Sequence, residues 1–226
     1  MLAEKLITSP RAMVEIIDEM GFLPFFINDI PGFSVKELTP PHLWFSDTED
    51  GPWEWKGPVI QLGKAAYGKF FGGKAMFVSK EWYPDFANIR RDGYDFDALW
   101  ADGLASVREK QLYEKLDEYP SLLSKSLKEL AGFGKGGIKG FDTVITKLQM
   151  KGYVINTDFE YQLDKKGRPY GWAVARFSTP EKFYGDYFTD NVYKLTPQQS
   201  KEKILSHLKT ILPAADEKSL LKVIGG

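Results

Sequence analysis

Two stretches hold the residues best able to do chemistry. The first gathers Trp44, Asp47, Glu49, Asp50, Trp53, Glu54 and Trp55 within a dozen positions. Indole rings beside carboxylates can stack on a flat ligand while an acid accepts its N–H groups. A partly desolvated carboxylate there can act as a base, and neighbouring His42 as a proton carrier. The same residues suit plain packing, because buried indoles anchor loop-rich segments and SDTEDGP is good turn and helix-cap chemistry. If a pocket forms, Asp47, Trp53, Glu54 and Trp55 line it, joined by Tyr67 from a following hairpin. Its ligand class is a small planar molecule.

The second stretch is AGFGKGGIKGFD, Ala131 to Asp142, in which Gly132, Gly134 and Gly137 satisfy G-x-G-x-x-G. A dinucleotide fingerprint needs a strand before its glycines, and the preceding SLLSKSLKEL has helical period. The Gly-Lys-Ser/Thr ending of a P-loop is also missing. The stretch reads instead as a turn between packed helices. Free N–H groups at the start of the next helix, with Lys135 and Lys139 nearby, suit phosphate oxygens.

The surrounding elements give these residues a place. Ser9-Pro10 and the period of Met13, Ile16, Ile17 and Met20 predict a capped amphipathic helix that Gly21 stops. The chain is then irregular to about Gly57, and AAYGKFF-GG-KAMFVS predicts a β-hairpin. A short helix follows through Trp82, Phe86 and Ile89. Asp97 is placed to cap a helix carrying Leu99, Trp100, Leu104, Val107 and Leu112, and Ser121 one burying Leu122, Leu123, Leu127 and Leu130. After the glycine turn, Phe141, Val144, Ile145 and Leu148 mark a third helix, with Gly152 as its stop. Two strands then flank Asp164-Lys165-Lys166-Gly167-Arg168, and closing helices run over 196–212 and 214–223. Arg90 and Arg91 either contact phosphate or pair with Asp92 and Asp95, and His207 is a surface or packing residue.

Helix, helix, glycine turn, helix and hairpin is the order of a winged helix, whose third helix can enter a major groove. The expected fold is α+β: a winged-helix domain of three helices plus a β-hairpin wing, with an aromatic-rich N-terminal helix and hairpin region against it. The expected divisions are 1–95, 96–190 and 191–226. On this reading Lys135, Lys139, Thr143, Thr146, Lys147 and Lys151 face DNA, and the wing residues Lys165, Lys166 and Arg168 lie along its backbone. Between Ser121 and Lys182 eleven basic residues stand against six acidic ones, a local patch in a chain of net charge −1. Lysines at helix ends and turn tips are also ordinary solvated residues, and winged helices also serve as protein-interaction modules.

Bulk composition removes other classes. The 226 residues contain no cysteine and only two histidines, so thiolate nucleophiles, Cys sites and His-built metal sites lack material. No metal set and no cofactor motif is found. No signal peptide or membrane span is visible, so a cytoplasmic protein without a membrane partner is expected. Nothing in the sequence sets the oligomeric state.

The runs HLWFSDTEDGPWEWKGPVI, AAYGKFFGGKAMFVSKEWYPDFANIRRDGYDFD, DGLAS, AGFGKGGIKGFDTVITKLQMKGYVI and GWAVARFSTPE resemble the AlkZ-related proteins. That group is a short offshoot of the AlkZ-like winged-helix DNA glycosylases, and the resemblance spans roughly residues 41–184. It implies a winged-helix fold, a link to DNA damage and, if the chain is an enzyme, hydrolysis of an N-glycosidic bond. The glycosylases position their water with a Gln-x-Gln or Gln-x-Asp pair in the N-terminal half. Here Gln61 is followed two positions on by Gly63, and the one Gln-x-Asp, Gln162-Leu163-Asp164, falls in the wing. No catalytic residue is therefore assigned.

Overall fold

A computed structural model describes residues 6–46 and 48–225. The chain opens with α1 (Pro10–Met20), β1 (Phe22–Pro24), α2 (Val35–Leu38), a 3-10 turn (Pro41–Trp44) and α3 (Pro52–Gln61). Next come β2 (Ala65–Phe71), β3 (Lys74–Ser79), α4 (Tyr83–Arg91) and α5 (Phe96–Ala101). The middle holds α6 (Val107–Glu118), β4 (Leu122–Leu123), α7 (Ser124–Leu130), α8 (Phe141–Met150), β5 (Ile155–Leu163) and β6 (Pro169–Ser178). Four helices close the chain: α9 (Pro180–Tyr184), α10 (Asp186–Thr189), α11 (Pro197–Ile211) and α12 (Glu217–Gly225). The architecture is mixed α+β, built on an antiparallel six-stranded sheet of order β1-β3-β2-β5-β6-β4.

The local rules explain most ends. Ser9 accepts a hydrogen bond from the Ala12 N–H at the start of α1, and Gly21 ends the helix at φ 74°. Gly72 and Gly73, both at positive φ, turn β2 into β3. Three expectations need correction. The helix from Asp97 is broken in two: Asp95 caps α5, Gly103 turns the chain at φ 71°, and Ser106 restarts it as α6. Ser106 and Glu109 form a reciprocal capping box there, and Leu104 and Val107 are left exposed. Ser121 does not cap a helix, because Leu122 and Leu123 pair with β6 and α7 begins only at Ser124. The segment before Gly57, expected to be irregular, holds α2 and the first half of α3, which starts with Pro52 at its first position and with the Gly51 N–H donating to Glu54.

Buried side chains fall into two clusters. One runs from Ile7 to Ala87 and is completed by Ile155, Phe188, Val192 and the inner faces of α11 and α12. The other runs from Phe96 to Phe177 and packs α5 to α8 against the base of β5–β6. Their seam crosses the sheet where β2 meets β5, joined by the pair Tyr67 and Asn156. Among the described residues no helix is long and apolar enough to cross a membrane.

Candidate nucleic-acid interface and seam cavity

The glycine stretch builds the entry to α8. A side chain at Gly137 would meet the Gly132 carbonyl oxygen at 2.2 Å, so the turn closes only without one. Gly140 occupies the N-cap position at φ 95°, and no side chain among the described residues caps the helix. Its first N–H groups therefore open onto a bay of about 430 Å³ lined by Lys128, Phe133, Lys139 and Thr143. Lys135, Lys139 and Thr143 are exposed around this end.

The rest of the expected contact face of α8 makes side-chain contacts within the fold. Lys147 and Lys151 reach Glu109 of α6 at 3.2 and 2.8 Å. Thr146 accepts a hydrogen bond from the Lys69 ammonium at 3.3 Å, on the opposite flank. Gln149 there accepts from the Lys69 backbone N–H at 2.6 Å. Helix α8 is thus clamped between α6 and β2. Burial raises the Glu109 carboxyl, but hydrogen bonds from Lys151 and Ser106 overcome it and leave the group at about 2.

The β5–β6 turn is organised by Asp164, which accepts from the backbone N–H of Lys166 at 2.8 Å and of Arg168 at 3.0 Å. Those backbone bonds hold the Asp164 carboxyl below its ordinary range. The Arg168 side chain also binds Asp164, at 2.9 Å, while Lys165 and Lys166 point outward, exposed. The exposed apolar residues Tyr161, Leu163 and Trp172 lie on the same hairpin, Trp172 at 87 % exposure.

Of the expected pocket residues, Trp53 and Glu54 line one cleft, and Trp55 and Tyr67 lie outside it. Trp55 is buried in the first cluster, and exposed Glu54 is spent on the Gly51 N–H at 3.0 Å. Trp53 is half-buried against Phe25, Phe26 and Trp44. Asp47 lies outside the described residues. A cleft of about 240 Å³ does form beside Trp44 and Trp53, with Glu49, Glu54, Lys56 and Trp172 on its walls. The Lys56 ammonium sits 4.9 Å over Trp53 and 4.2 Å over Phe159, and burial lowers its pKa against the opposing pull of Glu54.

Tyr67 belongs to a different and larger hollow. A cavity of about 540 Å³ opens at the seam of the two clusters, walled by Tyr67, Phe141, Phe159 and Phe177. Asn156 forms part of its lining and is 6 % exposed. Its cross-strand partners are Tyr67 on β2 and Phe177 on β6, so the three side chains share one sheet face. Neither the Asn156 amide nor the Tyr67 hydroxyl has a hydrogen-bond partner among the described residues. Both groups keep some contact with solvent. Burial also raises the Tyr67 phenol, which keeps it protonated and able to donate. Lys69, Lys74 and Asp142 line the same cavity. Sequence reasoning missed Asn156 and Phe159, because strand alternation places them on a face but only the β2–β5 pairing shows what that face meets.

An antiparallel sheet with a basic hairpin, an uncapped helix start and an aromatic cavity defines a mixed α+β protein. A family model described as AlkZ related matches residues 7–225, and the chain belongs to the AlkZ-related family. No curated protein and no solved structure matches it.

Proposed function

We propose that residues 96–190 form a winged helix through which the chain binds DNA, with modified or damaged DNA the favoured substrate class. One observation carries the reading. Elements α6, β4, α7, α8, β5 and β6 follow the order helix, strand, helix, helix, hairpin, and β4 closes on β6 through Leu122–Phe177 and Leu123–Arg176. Membership of the AlkZ-related family adds the link to DNA repair. Lys135 and Lys139 at the open start of α8 supply phosphate contacts, and Lys165 and Lys166 supply them from the wing. Lys147, Lys151 and Thr146 contribute less, because Glu109 and Lys69 already hold them. Strand β2 joins the unit to the N-terminal cluster, and α11 and α12 pack on α4. With no Gln-x-Gln pair in the sequence, the reading stops at binding.

Anisotropy of a labelled duplex, titrated across a salt series, tests it. Affinity should fall steeply with salt, and each phosphate-contacting cation removed should cut the log–log slope by about 0.9. The variant Lys165→Ala/Lys166→Ala should bind more weakly while keeping its far-UV circular dichroism. Unchanged affinity and slope would take the wing out of the interface. Absence of any salt-dependent duplex binding would leave the fold serving a protein contact instead.

A further inference from the structure

We propose that the seam cavity takes one nucleobase turned out of a duplex, with the Asn156 amide reading an adenine-type edge and the Tyr67 hydroxyl adding a further contact. The inference rests on the DNA-binding reading for its source of ligand, but the cavity argues for the ligand's chemistry by itself. At about 540 Å³ it falls within the size range of small-molecule sites. Its walls are rings: Tyr67 and Phe159 meet edge to face at 5.7 Å, and Phe141 and Phe177 come from the second cluster. Rings of this kind accept any flat π-system, and enzymes that extrude bases hold them in this way.

The floor narrows the choice. A carboxamide presents a donor beside an acceptor, and asparagine pairs in that manner with the N7 acceptor and N6 amino donor of adenine. Asn156 is deeply buried yet its amide is not sealed off, whereas the Trp44 indole N–H is fully occluded and available to no ligand. Two adjoining polar groups that lack a protein partner among the described residues yet still reach solvent, on one sheet face and inside one aromatic hollow, leave a hydrogen-bonding pattern open to a ligand. Lys69 and Lys74 border the same hollow, where the phosphates flanking an extruded nucleotide would need cations. Asp142, in the first turn of α8, puts a carboxylate acceptor within the same lining.

The test uses the full chain and two probes. One is free adenine, followed by ligand-observed NMR; the other is a duplex with a single bulged adenine, compared with its perfect counterpart by anisotropy. The wild-type chain should bind adenine and should prefer the bulged duplex by about tenfold. Asn156→Leu keeps the volume and removes the amide. It should weaken adenine at least tenfold and reduce the duplex preference to under twofold, leaving perfect-duplex affinity unchanged. Ala175→Leu, which fills the cavity from β6, should do the same and serves if the first variant does not fold. A wild-type chain that ignores both adenine and the bulge overturns the proposal, as do variants that bind like wild type. If neither duplex binds but adenine does, and Asn156→Leu abolishes it, the DNA-binding reading and the duplex as source of the base both fall, and only the cavity's affinity for the base stands.

Discussion

Two aromatic hollows draw on the same strand. The tryptophan cleft takes Trp172 and Ala173 from β6, and the seam cavity takes Ala175 and Phe177. Both have rings for walls and charged residues in their linings. They differ in how the polar groups beside the rings are engaged. In the cleft, Glu54 closes the Gly51 N–H and Lys56 lies over two rings. In the cavity, Asn156 and Tyr67 have nothing to bond to among the described residues. Aromatics beside carboxylates in sequence therefore mark packing and capping here, and polar groups that reach solvent without a protein partner set the seam cavity apart.

The largest expected effect comes from the cleft. Trp44 is 3 % exposed and meets Phe25 and Trp53 edge-on at 5.5 and 6.0 Å. Trp44→Ala should cost about 3–5 kcal/mol in urea denaturation, the usual toll of emptying an aromatic site. Adenine binding by the molecules that remain folded should be unchanged. Loss of that binding would mean the hollows are one coupled system, and the contrast would fall.

Arg91 sharpens the contrast from the seam. Its side chain is almost fully buried on α4 and donates to the Gly152 carbonyl at 2.9 Å, Glu181 at 2.6 Å and the Tyr193 hydroxyl at 3.0 Å. It thereby ties α4 to the turn behind α8. Arg91→Met leaves the carbonyl and carboxylate without their donor and should cost about 3 kcal/mol. Because α8 supplies Phe141 and Asp142 to the cavity, adenine affinity should also drop severalfold, measured by the same NMR titration. An unaffected cavity in a destabilised Arg91→Met chain would show that α8 is positioned by the sheet alone.

How much of this was legible in the sequence follows from the range of the forces involved. The cap at Ser9, the stop at Gly21 and the Gly72-Gly73 hairpin are local, and the sequence carries them directly. The break of α5 from α6 was also local, yet the apolar period through Leu104 and Val107 masked Gly103 and the Ser106 capping box. The β5–β6 turn was readable from its Asp-x-x-Gly chemistry, whereas the capture of Lys147 and Lys151 by Glu109, about forty positions away, was not. Of the expected pocket residues, Tyr67 reached the seam cavity only because β2 pairs with β5. A single cross-strand contact between distant hairpins has no signature in either strand.

The smallest effect concerns the flank of α8 that faces away from the cavity. Folded Glu109 titrates at about 2, against an ordinary value of 4.5. A group depressed in the folded state contributes its full stability above the unfolded value and loses it as pH falls toward the folded one. Stability should therefore drop from about pH 4.5 downward, with up to one proton taken up on unfolding through Glu109 alone, or roughly 1 kcal/mol per pH unit. Urea midpoints measured at successive pH values should show a shallower slope for Glu109→Gln, by up to that one proton. The substitution also releases Lys147 and Lys151 toward solvent. Duplex affinity should then rise a few fold at low salt, while adenine affinity, set on the other flank, stays fixed. A parallel change in both would show that α8 transmits strain between its flanks, and the division between a phosphate-facing end and a base-facing side would have to be redrawn.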